Sequence, residues 1–177
     1  AHLFHHETAS FAVAGGTSPA PIFDDLCAAN IDWDRVHVMP TDERWVPEDD
    51  PRSNARMIKE RLLVNRASQA RFLPLTIPSE TPEEAFPQLE TVLTPELPIS
   101  VLLLGMGADM HTASLFPGAP GLTEALHPAA PILAVLRPEN QPEVRVSLTA
   151  RVLDGAMSKH LIIYGSDKRA ALEKAMS

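Results

Sequence analysis

Four short segments of this 177-residue chain carry residue types that can do chemistry. The strongest runs Val101-Leu102-Leu103-Leu104-Gly105-Met106-Gly107-Ala108-Asp109-Met110-His111. An apolar run delivers a carboxylate and an imidazole two residues apart. A carboxylate beside a histidine fixes the ring tautomer and raises its basicity, which makes a general base near neutral pH. The glycines begin as G-x-G-x-x, but Met110 stands where a dinucleotide fingerprint has its third glycine, which argues against NAD. The competing reading is a structural loop with His111 as a helix cap.

The second segment is Phe11-Ala12-Val13-Ala14-Gly15-Gly16-Thr17-Ser18-Pro19. Glycines let a backbone turn tightly and approach a ligand. Thr17 and Ser18 can cap a helix opened by Pro19 or donate to phosphate oxygens. No Gly-Lys-Ser/Thr follows, so this is not a Walker A loop. The third segment, Pro40-Thr41-Asp42-Glu43-Arg44-Trp45-Val46-Pro47, crowds two acids and an arginine between prolines. Arg44 can clamp an oxyanion while Asp42 or Glu43 holds its side chain. A solvated surface ion pair is the competing fate. In the fourth, Tyr164-Gly165-Ser166-Asp167-Lys168, a lysine occupies the first turn of a helix. A cation there is mildly unfavourable to the helix, which points to an anionic partner.

These segments need a scaffold that brings them together. Short apolar runs at Ser10–Ala14, Val36–Met39, Arg71–Leu75, Ser100–Leu104, Ile132–Leu136, Val144–Leu148 and His160–Tyr164 read as strands, several with charged or polar residues only at their edges, as strands buried on both faces have. Helical spacing lies between them. Pro19–Ala29 places Ile22, Leu26 and Ala29 on one stripe, and Ser53–Leu63 does the same with Met57, Ile58, Arg61 and Leu62. Thr81-Pro82-Glu83-Glu84 reads as an N-cap, a proline at the first helical position and acids in the first turn. Ser166–Met176 reads as a last helix. Strands alternating with helices predict an α/β fold with a mostly parallel sheet and helices on both faces. In such sheets ligands bind beyond the carboxyl ends of the strands.

Composition narrows the function classes. The chain has 15 Lys+Arg against 23 Asp+Glu, a net charge of −8, which argues against nucleic-acid or membrane-surface binding. An anionic small molecule then needs the few basic residues gathered locally. One cysteine, Cys27, rules out a disulfide framework or a cysteine zinc site and predicts a buried, inert thiol. His2, His5 and His6 lack further ligands nearby and read as surface residues rather than a metal site. There is no run of 18 apolar residues, and the N-terminus lacks the basic start and long apolar stretch of a signal peptide. A cytoplasmic, reducing setting is expected.

Taken together, the motifs make the chain resemble the glucosamine-6-phosphate isomerase/6-phosphogluconolactonase family. The resemblance rests on Gly15-Gly16-Thr17-Ser18-Pro19, Asp42-Glu43-Arg44 with Val46-Pro47 and Ser53-Asn54, Gly105-Met106-Gly107 through Gly118, Arg145-Val146-Ser147-Leu148-Thr149, and Gly165 with Lys168. They follow the family's order over nearly the whole chain. The resemblance implies a three-layer αβα, Rossmann-like fold in a single sugar-phosphate hydrolase domain over residues 1–177, incomplete at both ends because the family's leading helix and a final strand after Lys174 are missing. It implies hydrolysis of 6-phospho-D-glucono-1,5-lactone to 6-phospho-D-gluconate in the oxidative pentose phosphate pathway, with no cofactor and no required metal. A sugar-phosphate deaminase or isomerase, or a non-catalytic sugar-phosphate-binding module, are the alternatives on the same fold.

Residue by residue, His111 matches the family's acid–base histidine, with Asp109 orienting it. Gly15, Gly16, Thr17, Ser18, Arg44, Lys168 and Arg145 match substrate- or phosphate-binding positions. The deaminases carry a glutamate where this chain has Phe116, and a different residue where it has Arg44. The family has Ser-Thr where this chain has Thr17-Ser18, which keeps both hydroxyls. It also has glycine where this chain has Met110; if that position requires φ > 0, methionine costs roughly 1–2 kcal/mol.

Overall fold

Apolar residues on consecutive positions of three strands point to opposite sides of one sheet, and this divides the core in two. The computed structural model describes residues 2–176; Ala1 and Ser177, the two ends of the expected domain, lie outside the described residues. After a 3-10 turn at His2–Phe4 come β1 (Ala9–Val13), α1 (Ala20–Leu26) and β2 (Val36–Pro40). After β3 (Asp42–Arg44) and α2 (Asn54–Arg61) come β4 (Arg71–Phe72), α3 (Pro82–Leu93) and β5 (Val101–Gly105). The rest is α4 (Leu122–Leu126), β6 (Leu133–Leu136), β7 (Arg145–Leu148), α5 (Ala150–Asp154), β8 (Lys159–Ile162) and α6 (Ser166–Ala175).

Among the described residues, β4-β2-β1-β5-β8 form an all-parallel sheet in that order. Val13, Val38 and Leu103 face α1 and α2, packing on Phe23, Cys27, Ile58 and Leu62. Ala12, Met39 and Leu102 face the other way, onto Ala85, Leu89 and Leu93 of α3 and Val152 and Leu153 of α5. This is the three-layer αβα arrangement the sequence predicts. Among the described residues no helix is long and apolar enough to cross a membrane.

Three local expectations are corrected. The buried stripe of α1 runs through Phe23 and Cys27, at 0% and 2% exposure, not through Ile22, Leu26 and Ala29. The helix starts at Ala20 rather than Pro19, and the sheet accepts the larger Phe23 ring. In α2 the stripe keeps Ile58 and Leu62, but Arg61 turns outward to pair with Asp24. The run expected as a strand over Arg71–Leu75 pairs only at Arg71 and Phe72, with Leu73 and Leu75 buried in the core beyond it.

The larger surprise is a second, antiparallel sheet, β3-β7-β6. Thr41 is its joint. Its N–H donates to Val13 O on β1, and its carbonyl accepts from Leu148 N on β7. The chain thus leaves one sheet and enters the other within a single residue, so the polar segment Asp42–Arg44 is itself a strand.

Candidate active site

Each of the four chemical segments ends at one cleft of about 330 Å³. Gly15, Gly16, Thr17 and Ser18 form one wall, Arg44 and Arg145 another, and His111, Phe116 and Lys168 complete it. Asp109 stands behind His111 and does not line the cleft. Asp42, Asn54, Ala113 and Gln141 also line it. Sequence reasoning named Asp42 only as a holder of Arg44 and missed Gln141. No motif marks Gln141; it arrives because its side-chain oxygen accepts from Arg145 Nη2 at 2.9 Å.

The glycine turn is shaped by a neighbour 39 positions away. A Cβ on Gly15 would lie 2.0 Å from Oδ1 of Asn54, whose Nδ2 donates to the Asp42 carbonyl at 2.8 Å. Gly16 adopts φ +89°, in the left-handed region open to glycine. Thr17 and Ser18 do not cap α1: the N-cap is Pro19, with no side-chain capping bond. Neither hydroxyl is spent on the helix start, and Ser18 Oγ accepts from Lys168 Nζ at 3.5 Å. Among the described residues the Gly16, Thr17 and Ser18 amides donate to no protein acceptor.

The third segment does not work as expected. Neither Asp42 nor Glu43 holds the Arg44 side chain. Glu43 is buried and accepts from the Arg44, Asn54 and Ala55 amides and the Ser53 hydroxyl, so it fastens the start of α2 to β3. Burial raises its carboxyl pKa, against the pull of those three amides. Asp42 accepts from Thr41 Oγ1 at 3.1 Å and Ser114 Oγ at 2.5 Å. Arg44 instead donates from Nη1 to the Arg52 carbonyl.

In the β3–β7 ladder Arg44 lies directly opposite Arg145. Like charges at such a pair repel. Nε of each guanidinium is buried and has no partner among the described residues. Arg145 is 5% exposed, and its pKa is lowered by burial first and then by the Arg44 charge. Glu143 lies 3.6 Å from it but is also engaged by Arg52. Two crowded guanidiniums with unsatisfied donors in one cleft can take up an anion.

Asp109 and His111 meet as the sequence suggests. Nδ1 of His111 lies 2.5 Å from Asp109 Oδ1. With Nδ1 so engaged, Nε2 is the nitrogen left for the cleft. Partial burial raises the Asp109 pKa, but the hydrogen bond and charge of His111 and two backbone amides outweigh it and hold the carboxyl below its usual range. The pair rests on bare backbone. A Cβ on Gly107 would come within 2.3 Å of the His111 ring and 2.5 Å of Asp109 Oδ1. The Phe116 ring lies 4.2 Å from the His111 ring centroid to centroid, and the Arg145 guanidinium sits 5.7 Å over that same phenyl.

The loop carries strain. Met110 and Ala113 adopt φ +69° and +48°, and left-handed non-glycine residues gather at functional sites. The Met110 side chain is exposed. A glycine there removes about 1–2 kcal/mol of strain at about 0.5–1 kcal/mol of extra chain entropy. Met110→Gly is therefore expected to raise stability by up to about 1 kcal/mol, read as a higher urea midpoint at unchanged slope. A lower midpoint contradicts the strain.

The parallel sheet with a cleft at its carboxyl ends, holding a carboxylate–histidine pair beside clustered cations, defines an α/β enzyme for a small anionic substrate. Comparison with known proteins makes the class specific. The family of glucosamine-6-phosphate isomerases/6-phosphogluconolactonase matches residues 1–177, and the chain belongs to it. A 6-phosphogluconolactonase of Rhizobium meliloti is 41% identical over 171 residues, covering 95% of this chain and 73% of the relative. One from Mesorhizobium japonicum is 42% identical over 174 residues, covering 96% and 72%. The crystal structure of a 6-phosphogluconolactonase from Shewanella baltica superposes with a TM-score of 0.94 at 33% identity, covering 99% of this chain and 75% of that one.

Proposed function

We propose that this chain hydrolyses 6-phospho-D-glucono-1,5-lactone to 6-phospho-D-gluconate, as one sugar-phosphate hydrolase domain in the cytoplasmic oxidative pentose phosphate pathway. The observation that carries the reading is the cleft that His111, paired with Asp109 behind it, shares with Arg44, Arg145 and Lys168. The relatives named as 6-phosphogluconolactonases support the same substrate.

His111 Nε2 takes a proton from water, and the hydroxide formed attacks the lactone carbonyl. Asp109 keeps the Nδ1 proton in place and stabilises the imidazolium. Backbone N–H groups of the glycine turns stabilise the tetrahedral oxyanion. The imidazolium then returns its proton to the ring oxygen as that bond breaks, which opens the lactone to the acid. Lys168, Arg44, Arg145 and the Gly15–Ser18 turn hold the 6-phosphate, so that binding energy far from the carbonyl positions it. Every step uses side-chain and backbone groups of this chain with one water, and requires no metal.

The test is lactone hydrolysis above the spontaneous rate, with and without a chelator, beside ammonia release from glucosamine 6-phosphate. Hydrolysis insensitive to chelation and negligible ammonia are expected. Phe116 is the reason for the second half: a phenyl ring against His111 has no proton to transfer in ring opening. Ammonia release at a rate rivalling hydrolysis overturns the assignment.

A further inference from the structure

The arginine pair has a rival anion in its own sheet. Asp42 and Arg44 are two residues apart on β3, so they project from one face, with Ser147 and Arg145 opposite them. Neighbouring pairs on a sheet face are within reach of long side chains. A carboxylate free to turn toward two under-satisfied guanidiniums would pair with them, because a guanidinium adds a full opposite charge and a bidentate fork that a hydroxyl lacks. Yet Asp42 is turned to hydroxyls. Oδ2 accepts from Ser114 Oγ at 2.5 Å and Oδ1 from Thr41 Oγ1 at 3.1 Å.

Ser114 is suited to hold it. It is fully buried, and its own N–H is fixed by Ser147 Oγ at 3.3 Å, on the strand that carries Arg145. Thr41, also fully buried, is the joint between the two sheets, so its hydroxyl has a fixed origin. Thr41 and Ser114 thus approach the carboxylate from two rigid anchors.

We propose that Ser114 is a positioning residue for substrate binding: with Thr41 it holds the Asp42 carboxylate off Arg44 and Arg145, so that both guanidiniums stay available to the phosphate of the substrate. The inference rests on the anion site proposed above and adds its regulation by an internal competitor. Without the serine hydroxyl, Asp42 turns to the arginines and must be displaced before an anion binds.

The test is calorimetric titration of inorganic phosphate into the wild-type protein, Ser114→Ala, Asp42→Asn and the double variant. Ser114→Ala is expected to weaken phosphate by about ten-fold, the worth of one charge-assisted bond. The double variant is expected to bind within about two-fold of Asp42→Asn alone, since no competing carboxylate remains. A merely structural serine predicts the opposite, a double variant as weak as Ser114→Ala, and that result overturns the proposal. So does wild-type affinity in Ser114→Ala. Thr41→Val, which keeps the side-chain volume, is expected to weaken phosphate in the same direction and to be reversed by Asp42→Asn. If Ser114→Ala does not fold, that pair decides, and unchanged affinity in Thr41→Val overturns the proposal. Wild-type protein that binds no phosphate overturns the anion site and the proposal with it, which is distinct from a binding wild type with an indifferent serine.

Discussion

His111→Ala is expected to lower kcat for the phosphorylated lactone by about 10²–10⁴, the usual worth of a positioned acid–base group, with KM little changed. The imidazole lines the cleft but carries no share of the cation cluster, so removing it spares ground-state binding. The alanine also leaves Asp109 without its 2.5 Å partner. Asp109 is half-exposed, so it rehydrates rather than unfolding the loop, and the loss belongs to chemistry. Initial rates corrected for spontaneous opening measure the effect. Asp109→Asn is expected to cut kcat in the same sense and by less, because Nε2 remains present with a poorly fixed tautomer. A His111→Ala variant with more than half the wild-type rate removes His111 from the mechanism.

The second large effect concerns the phosphate. A protein at −8 repels a dianion at long range, so affinity must come from local donors. The cleft supplies them as the Arg44–Arg145 pair, Lys168 and the Gly16–Ser18 amides. Each charge-assisted bond is worth about 1.5–3 kcal/mol. Arg44→Ala or Lys168→Ala is therefore expected to raise KM for the phosphorylated lactone ten-fold or more, while slow hydrolysis of the plain lactone hardly changes. Arg145→Ala is expected to do at least as much. It removes a buried cation whose aliphatic stem is packed in the second sheet, so its folding must be checked by thermal melting. Added salt is expected to weaken wild-type binding more than that of the variants, because screening acts on charge pairs. Equal losses on phosphorylated and plain lactone assign these residues to the fold or the chemistry and move the phosphate elsewhere.

Much of this was legible in the chain itself. Short apolar runs alternating with helical stretches predict βαβ units, and βαβ units put their strands parallel in one sheet. Once the sheet is parallel, Gly15, His111 and Lys168 must emerge at one end of it, since each lies in the segment that follows a strand. That much needs only periodicity and order. The Asp109–His111 pair was equally local: two residues of spacing suffice to bring carboxylate and ring together, even with a left-handed methionine between them.

The rest depended on partners far along the chain. Asp42-Glu43-Arg44 reads as an arginine clamp held by a neighbouring acid, yet it is a strand whose two carboxylates are satisfied by residues from elsewhere and whose Arg44 Nε is left without a partner among the described residues. Ser114 comes from 72 positions away, Asn54 and Ala55 from 11 and 12, and the antiparallel partner Arg145 from across the second sheet. No local pattern encodes that exchange, and so the second sheet, the capping role of Glu43 and the pairing of two arginines across the ladder were invisible. Likewise Ile22 and Phe23 are equally apolar candidates for the buried face of α1, and only the sheet beneath the helix selects Phe23. Backbone periodicity and steric preference act over a few residues and can be read from sequence. The destination of a charged side chain is set by the desolvation it must recover, and the donors that recover it are brought within reach only by the folded chain.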